Sequence, residues 1–167
     1  MKILGIDPGE KVSGVVLWDS IVEVIIEKAE MENEELVTYL KRCALPFPSL
    51  DLDVVAIENI ASYGMPVGAE TFATCCWIGE FRRVTKDLSL NYLPMFRKEV
   101  VLHLCHSSRA KDKNVSAALL ERFGDYSHGS TGKGVKKFPG KLYGVKDHLW
   151  SALAVAVTVG DQEKEKV

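Results

Sequence analysis

The chain has 167 residues, 47% of them hydrophobic, which suits one domain around a single packed core. No apolar run is long enough for a membrane-spanning helix. The first residues also lack the charged lead, apolar segment and cleavage site of a secretion signal. The formal net charge of −2 hides a polarity: residues 19–58 carry ten acids against three bases, and residues 97–146 carry eleven bases against four acids.

Residues 2–7 predict a strand ending in an acid, Asp7, with Pro8-Gly9 turning the chain at once. Residues 12–19 predict a second strand and 21–28 a third, with Asp19-Ser20 as the tight turn. Val22, Val24 and Ile26 alternate with Glu23 and Glu27, so the third strand should be half exposed. Residues 31–43 predict a helix with Met31, Leu36, Leu40 and Cys43 on one face, closed by Pro46 and Pro48. Glu34 and Glu35 stand in its first turn, where the helix dipole favours acids. Residues 53–59 predict a fourth strand, apolar on both faces and therefore buried in parallel pairing.

Residues 60–66 predict a loop and 67–86 a long helix. The helix face Phe72, Cys75, Cys76, Gly79 and Arg83 suits packing against a sheet or another helix. A short fifth strand follows at 89–94, then helices at 96–105 and 111–123. Residues 124–144 hold seven glycines or prolines among lysines and serines, which predicts a mobile loop. A last apolar helix at 145–159 completes a single domain over residues 1–160, with 161–167 as a charged tail. Cys43, Cys75, Cys76 and Cys105 match no zinc spacing and predict buried free thiols in a reducing compartment. Hairpin-linked strands followed by strand–helix alternation predict an α/β fold, a five-stranded mixed sheet with helices on both faces.

Three acids stand out by context. Asp7 ends the first strand, Glu58 ends the fourth, and Asp147 opens the last helix beside His148. If the first and fourth strands are parallel neighbours, Asp7 and Glu58 leave the sheet at one edge, and a helix start docked there adds Asp147. Carboxylates brought together this way repel one another unless divalent metal sits among them. Oxygen ligands select Mg²⁺ or Mn²⁺, and two such ions about 4 Å apart stabilise both oxygens of a phosphoryl displacement. Each acid also has a plainer reading. Asp7 can cap the Pro-Gly turn, Asp147 its helix, and His148 can be a surface histidine. Glu58 can form a buried pair with a lysine, although the pattern puts no lysine near it. The basic segment beside these acids suggests a phosphate backbone as partner, with an ordinary solvated face as the alternative.

Ile-Leu-Gly-Ile-Asp-Pro-Gly at 3–9, a middle strand ending in Ile57-Glu58, and the helix Ser-Ala-Leu-Ala-Val-Ala-Val-Thr at 151–158 together resemble the RuvC family of Holliday-junction resolvases. Arg97-Lys98-Glu99-Val100 and Arg109-Ala110-Lys111-Asp112-Lys113-Asn114-Val115 resemble that family's basic helix pair. The segment at 61–68 is similar to its diverged, often phage-encoded branch. The resemblance implies an RNase H-like fold. It also implies a cytoplasmic, Mg²⁺- or Mn²⁺-dependent endonuclease with two ions per site. Such an enzyme resolves four-way DNA junctions by paired symmetric nicks, as a homodimer. Carried over by position, the catalytic and metal residues are Asp7, Glu58, Asp147 and His148. Ser151 stands where the family places its last aspartate, which leaves the fourth ligand as Asp147, His148 or both.

The residues proposed for DNA contact are Lys98, Arg109, Lys111, Lys113, Lys133, Lys136, Lys137 and Lys141. Phe138 and Tyr143 are read either as base-stacking groups or as loop anchors. The helix at 67–86, with Trp77, is the candidate dimer interface, or else packs within the chain. Two other functions stay open. One is a related nuclease for other branched DNA or structured RNA. The other is a junction-binding protein without a working site. An actin-like ATP-binding protein fails on length, since that fold needs two such lobes.

Overall fold

The computed structural model describes residues 1–45, 51–62, 64 and 66–166. Pro46, Pro48, Tyr63 and Met65, read above as parts of a helix stop and of the 61–68 segment, lie outside the described residues. Strands β1 (Lys2–Asp7), β2 (Val12–Asp19), β3 (Val24–Glu32), β4 (Val54–Asn59) and β5 (Tyr92–Phe96) form one sheet in the order β3-β2-β1-β4-β5. The β1–β2 and β2–β3 pairs are antiparallel, while β1–β4 and β4–β5 are parallel, so the sheet is mixed as predicted.

Side-chain alternation divides the core in two. Leu4, Ile6, Val15, Leu17, Val55 and Ile57 face helices α1 (Asn33–Cys43) and α2 (Ala69–Asp87). Ile3, Val16, Trp18, Val54 and Ala56 face α3 (Arg97–Cys105), α4 (Asp112–Phe123) and α5 (His148–Lys164). β4 is apolar on both sides because both sides are covered.

α5 lies almost in contact with the β1 and β2 backbones. A Cβ on Gly5 would come within 2.1 Å of the Ala152 carbonyl oxygen. One on Gly14 would come within 2.6 Å of the His148 carbonyl and 2.7 Å of its Cβ. The small residues Gly5, Gly14, Ala152 and Ala156 are therefore what let this helix settle on the sheet. Its far end is tied as well. Arg122 donates to both Asp161 oxygens at 2.5 and 2.8 Å and to Glu23 at 2.9 Å, while His103 Nε2 lies 2.9 Å from Asp161.

Several boundaries differ from those expected. The third strand starts at Val24, because the Asp19 carboxylate accepts from the Ile21 and Val22 amides and widens the turn. It runs on to Glu32 because β2 offers partners as far as Val12. The fifth strand is Tyr92–Phe96 and not 89–94, held to the end of β4 by pairing as far as Asn59↔Phe96. The last helix runs to Lys164, so most of the expected tail is helical, anchored by Arg122 through Asp161. The expected loop at 124–144 contains a short hairpin, β6 (Gly134–Val135) with β7 (Phe138–Pro139). α2 buries Ile78, Phe81, Val84 and Thr85, whereas the face with Phe72, Cys75, Cys76, Gly79 and Arg83 points to solvent and not to the sheet. Two of the four thiols, Cys75 and Cys76, are thus exposed where buried ones were expected.

Gly14→Ala should destabilise the fold by on the order of 1–3 kcal/mol, since the new methyl must push the α5 start off β2. Chemical denaturation of the two proteins measures this. A change within about 0.5 kcal/mol, the size of an ordinary surface substitution, would mean that α5 is not seated as described.

Candidate active site

The register of β1 and β4 pairs Ile6 with Ile57, which places Asp7 and Glu58 one step further along neighbouring strands. The alternation then turns both carboxyls to the α5 side. They lie within hydrogen-bonding reach of each other. Asp7 Oδ2 is 2.8 Å from His148 Nδ1. That contact depends on Gly14, which pairs with Asp7 in β2 and makes room for the His148 backbone. The turn after Asp7 is pinned by a buried polar triangle. Ser13 Oγ donates to Asn33 Oδ1 at 2.6 Å, Asn33 Nδ2 donates to the Gly9 carbonyl at 3.0 Å, and the Gly9 amide donates to Ser13 Oγ at 3.4 Å. So the Pro-Gly turn is held by Ser13 and Asn33, leaving the Asp7 carboxyl for His148 and Glu58.

Asp7, Glu58, Asp147 and His148 all line one open cavity of about 660 Å³, with Arg97, Asp112, Trp150 and Ser151. Asp147 sits at its rim, with its side chain 69% exposed and 3.9 Å from Lys146 Nζ. Its backbone, at φ 39° and ψ −124°, lies where a non-glycine residue is strained. Arg97 was not foreseen as a site residue, nor was Asp112. Arg97 Nη1 lies 3.4 Å from Glu58 Oε1, and Nη2 donates to Asp112. Glu58 thus has a cationic partner, an arginine and not the lysine weighed above. The available signal was the parallel β4–β5 pairing: Glu58 is opposite Met95, so the residue two places on emerges at the same edge.

Burial raises the pKa of Asp7, with His148 and Arg97 opposing the shift. Burial, reinforced by the Asp7 charge, pushes Glu58 up to about 7 against the pull of Arg97. The two titrate as a pair, and their shared cost in the ionised state is what a cation would relieve. Among the described residues, no three His, Cys, Asp or Glu side chains converge closely enough to hold a metal as they stand. The Asp7–Glu58 pair does fit a hard, oxygen-ligated cation: two desolvated carboxylates face a cavity and resist ionising together.

Of the residues proposed for DNA contact, Lys98 and Lys113 line smaller cavities that share Arg97 with the main one. Arg109 and Lys111 are exposed on the α3–α4 connection, and Lys136, Lys137 and Lys141 on and beside the hairpin. Lys133 differs. It is half-buried, donates to the Val145 carbonyl at 2.6 Å and lies 5.0 Å from the centre of the Trp150 ring, bracing the hairpin against α5. Phe138 is 46% exposed and stacks on His128 at 4.3 Å, and Tyr143 is 37% exposed.

In overall structure the chain is similar to RuvC from Thermus thermophilus in complex with a Holliday junction substrate. The TM-score is 0.66 at 17% identity, over 99% of this chain and 96% of that one. It is also similar to a second Thermus thermophilus RuvC structure, with TM-score 0.62 at 18% identity, over 99% of this chain and 97% of that one. The chain has the RuvC fold, an RNase H-like one. No protein-family model matches the chain, and no curated protein matches it. In this RuvC fold the two carboxylates come from the paired ends of β1 and β4, and α5 brings the histidine to them.

A carboxyl that holds its proton more tightly when folded than when unfolded favours the fold below its unfolded pKa. That advantage disappears as pH rises through the folded value. For Glu58 the window runs from its ordinary 4.5 to about 7. Glu58→Gln should therefore match the metal-free wild type in stability near the acid end of this window and exceed it above neutrality, by on the order of 1–3 kcal/mol. Denaturation midpoints across pH in a chelating buffer measure the difference. A gain of equal size at both ends would show that Glu58 is not proton-coupled.

Proposed function

We propose that the chain is a divalent-metal-dependent, structure-selective DNA endonuclease that resolves four-way junctions by paired nicks. The observation that carries this reading is the largely buried Asp7–Glu58 pair, with His148 against it, in a cavity flanked by Lys98 and Lys113. The likeness in fold to a RuvC held in complex with a Holliday junction substrate supports the choice of DNA. A divalent ion bound by Asp7 and Glu58 would supply the charge that lets both ionise and would polarise the phosphate. Asp147, at the rim, and His148 complete the proposed site.

Hydrolysis of a phosphodiester moves two protons. Water loses one as its oxygen attacks phosphorus, and the leaving 3′ oxygen gains one as its bond to phosphorus breaks. His148 and the carboxyl pair are the groups at hand for these transfers. The products are a 5′ phosphate and a 3′ hydroxyl, ends that can be rejoined. The exposed bases around the α3–α4 connection and the hairpin would hold backbone phosphates, which positions DNA without reading its sequence. Two coordinated nicks need two sites, and a second copy of the chain provides the other. The outward face of α2, with Phe72 63% exposed beside Cys75, Cys76 and Gly79, is the surface proposed for that pairing.

One observation favours a second reading, junction binding without cleavage: Arg97 already neutralises part of the Glu58 charge. Incubation with an immobile four-way junction and Mg²⁺, with the ends mapped on each strand, separates the two. Flap, fork and structured-RNA substrates at equal salt test the wider nuclease class. Asp7→Asn should bind the junction as wild type does and cut it at least about a hundred-fold more slowly, since it removes a ligand and not a DNA contact. Cleavage at the wild-type rate would reject a metal role for Asp7. Phe72→Glu should halve the molar mass measured by light scattering in solution. An unchanged mass would move the dimer interface elsewhere.

A further inference from the structure

Arg97 is placed as a fixed component of the cavity. It is the first residue of α3, directly after the β5 strand that pairs with the end of β4. Its guanidinium reaches Glu58 with one terminal nitrogen and Asp112, the first residue of α4, with the other. Two separate elements thus hold the fork, and its side chain is 32% exposed, facing the cavity. A guanidinium carries five N–H donors and keeps its charge at every working pH. The two carboxylates engage one donor from each terminal nitrogen, which leaves others for a phosphate.

The carboxylates around the cavity divide into two groups. Asp7 and Glu58 are mutually close and largely desolvated. Asp112 is engaged by Arg97, and Asp147 is exposed beside Lys146. One turn into α5, Ser151 lines the cavity with a hydroxyl and no charge. Asp7 and Glu58 together carry the charge to balance one divalent cation, and among the described residues no third carboxylate or imidazole converges on them closely enough to frame a second. Any second ion placed beside Glu58 would meet the like charge of Arg97 at close range.

Resting on the nuclease reading above, we infer that Arg97 takes the place of a second metal ion: the site holds one divalent cation, and the guanidinium grips the scissile phosphate and offsets the charge that grows on it. Arginine suits this role, because its planar fork matches two phosphate oxygens and its charge is already aimed before the reaction begins. Asp112 is a positioning residue that keeps the fork pointed at the cavity.

The test is a titration of the purified full chain with Mn²⁺, followed by electron paramagnetic resonance of the free ion, together with junction cleavage by Arg97→Gln. One Mn²⁺ per chain is expected for wild type at millimolar concentration. Arg97→Gln should still bind one Mn²⁺ but cleave about a hundred-fold more slowly or worse, the scale of losing one preorganised charge donor. Two ions per wild-type chain would overturn this inference and leave the metal-nuclease reading standing. No bound Mn²⁺ would overturn both. Cleavage by Arg97→Gln at the wild-type rate, or loss of its Mn²⁺, would also overturn it, by showing that Arg97 is idle or merely shapes the ligands. Should that variant fail to fold, Arg97→Lys keeps the charge without the fork. It should bind one Mn²⁺ and cleave at least about ten-fold more slowly than wild type.

Discussion

Everything at the cavity depends on how closely α5 approaches the sheet. A helix on a sheet usually stands off by the length of its side chains. Here Gly5 and Gly14 have none, and the helix offers Ala152 and Ala156 in return. The backbone of His148 comes to rest on Gly14, whose partner across the ladder is Asp7. A glycine on one strand thus decides which side chain meets the acid on its neighbour. The pleat does the rest, since parallel registry with β4 turns Glu58 to the same side.

The cavity is costly to fold and is made from residues that resist being together. Two carboxyls on adjacent strands are largely buried and hold protons above their ordinary range. Asp147 adds backbone strain at the helix start. Hydrophobic layers on both faces of the sheet and the ion network around Arg122 offset these penalties at a distance. Such a division between a strained edge and a well-packed centre is the usual signature of a site shaped by chemistry and not by stability.

Much of this was legible in the sequence. Strand endings in Asp7 and Glu58, and a helix opening at Asp147-His148, were enough to bring four residues to one cavity. The fold class followed from the order of apolar segments. Arg97 was hidden for a physical reason: its position depends on the β4–β5 register, and that register slid the fifth strand beyond its expected end. Ser13 and Asn33 read as ordinary polar residues, because a buried hydrogen-bond triangle has no periodic signature. Lys133 looked like its neighbours, yet its stem and ammonium serve Trp150 and Val145. The outward face of α2 also misled, since a mixture of small and large residues does not say which side of a helix they cover.

The anchoring of α5 at both termini has a mechanical consequence. His148 is fastened to Asp7 at one end, and Asp161 is fastened to Arg122 and His103 thirteen residues later. With glycine-to-alanine contacts between those points, sliding along the axis or rolling about it would break several close fits at once. Asp7 and the imidazole therefore keep one fixed spacing, as the jaws of a locked calliper do.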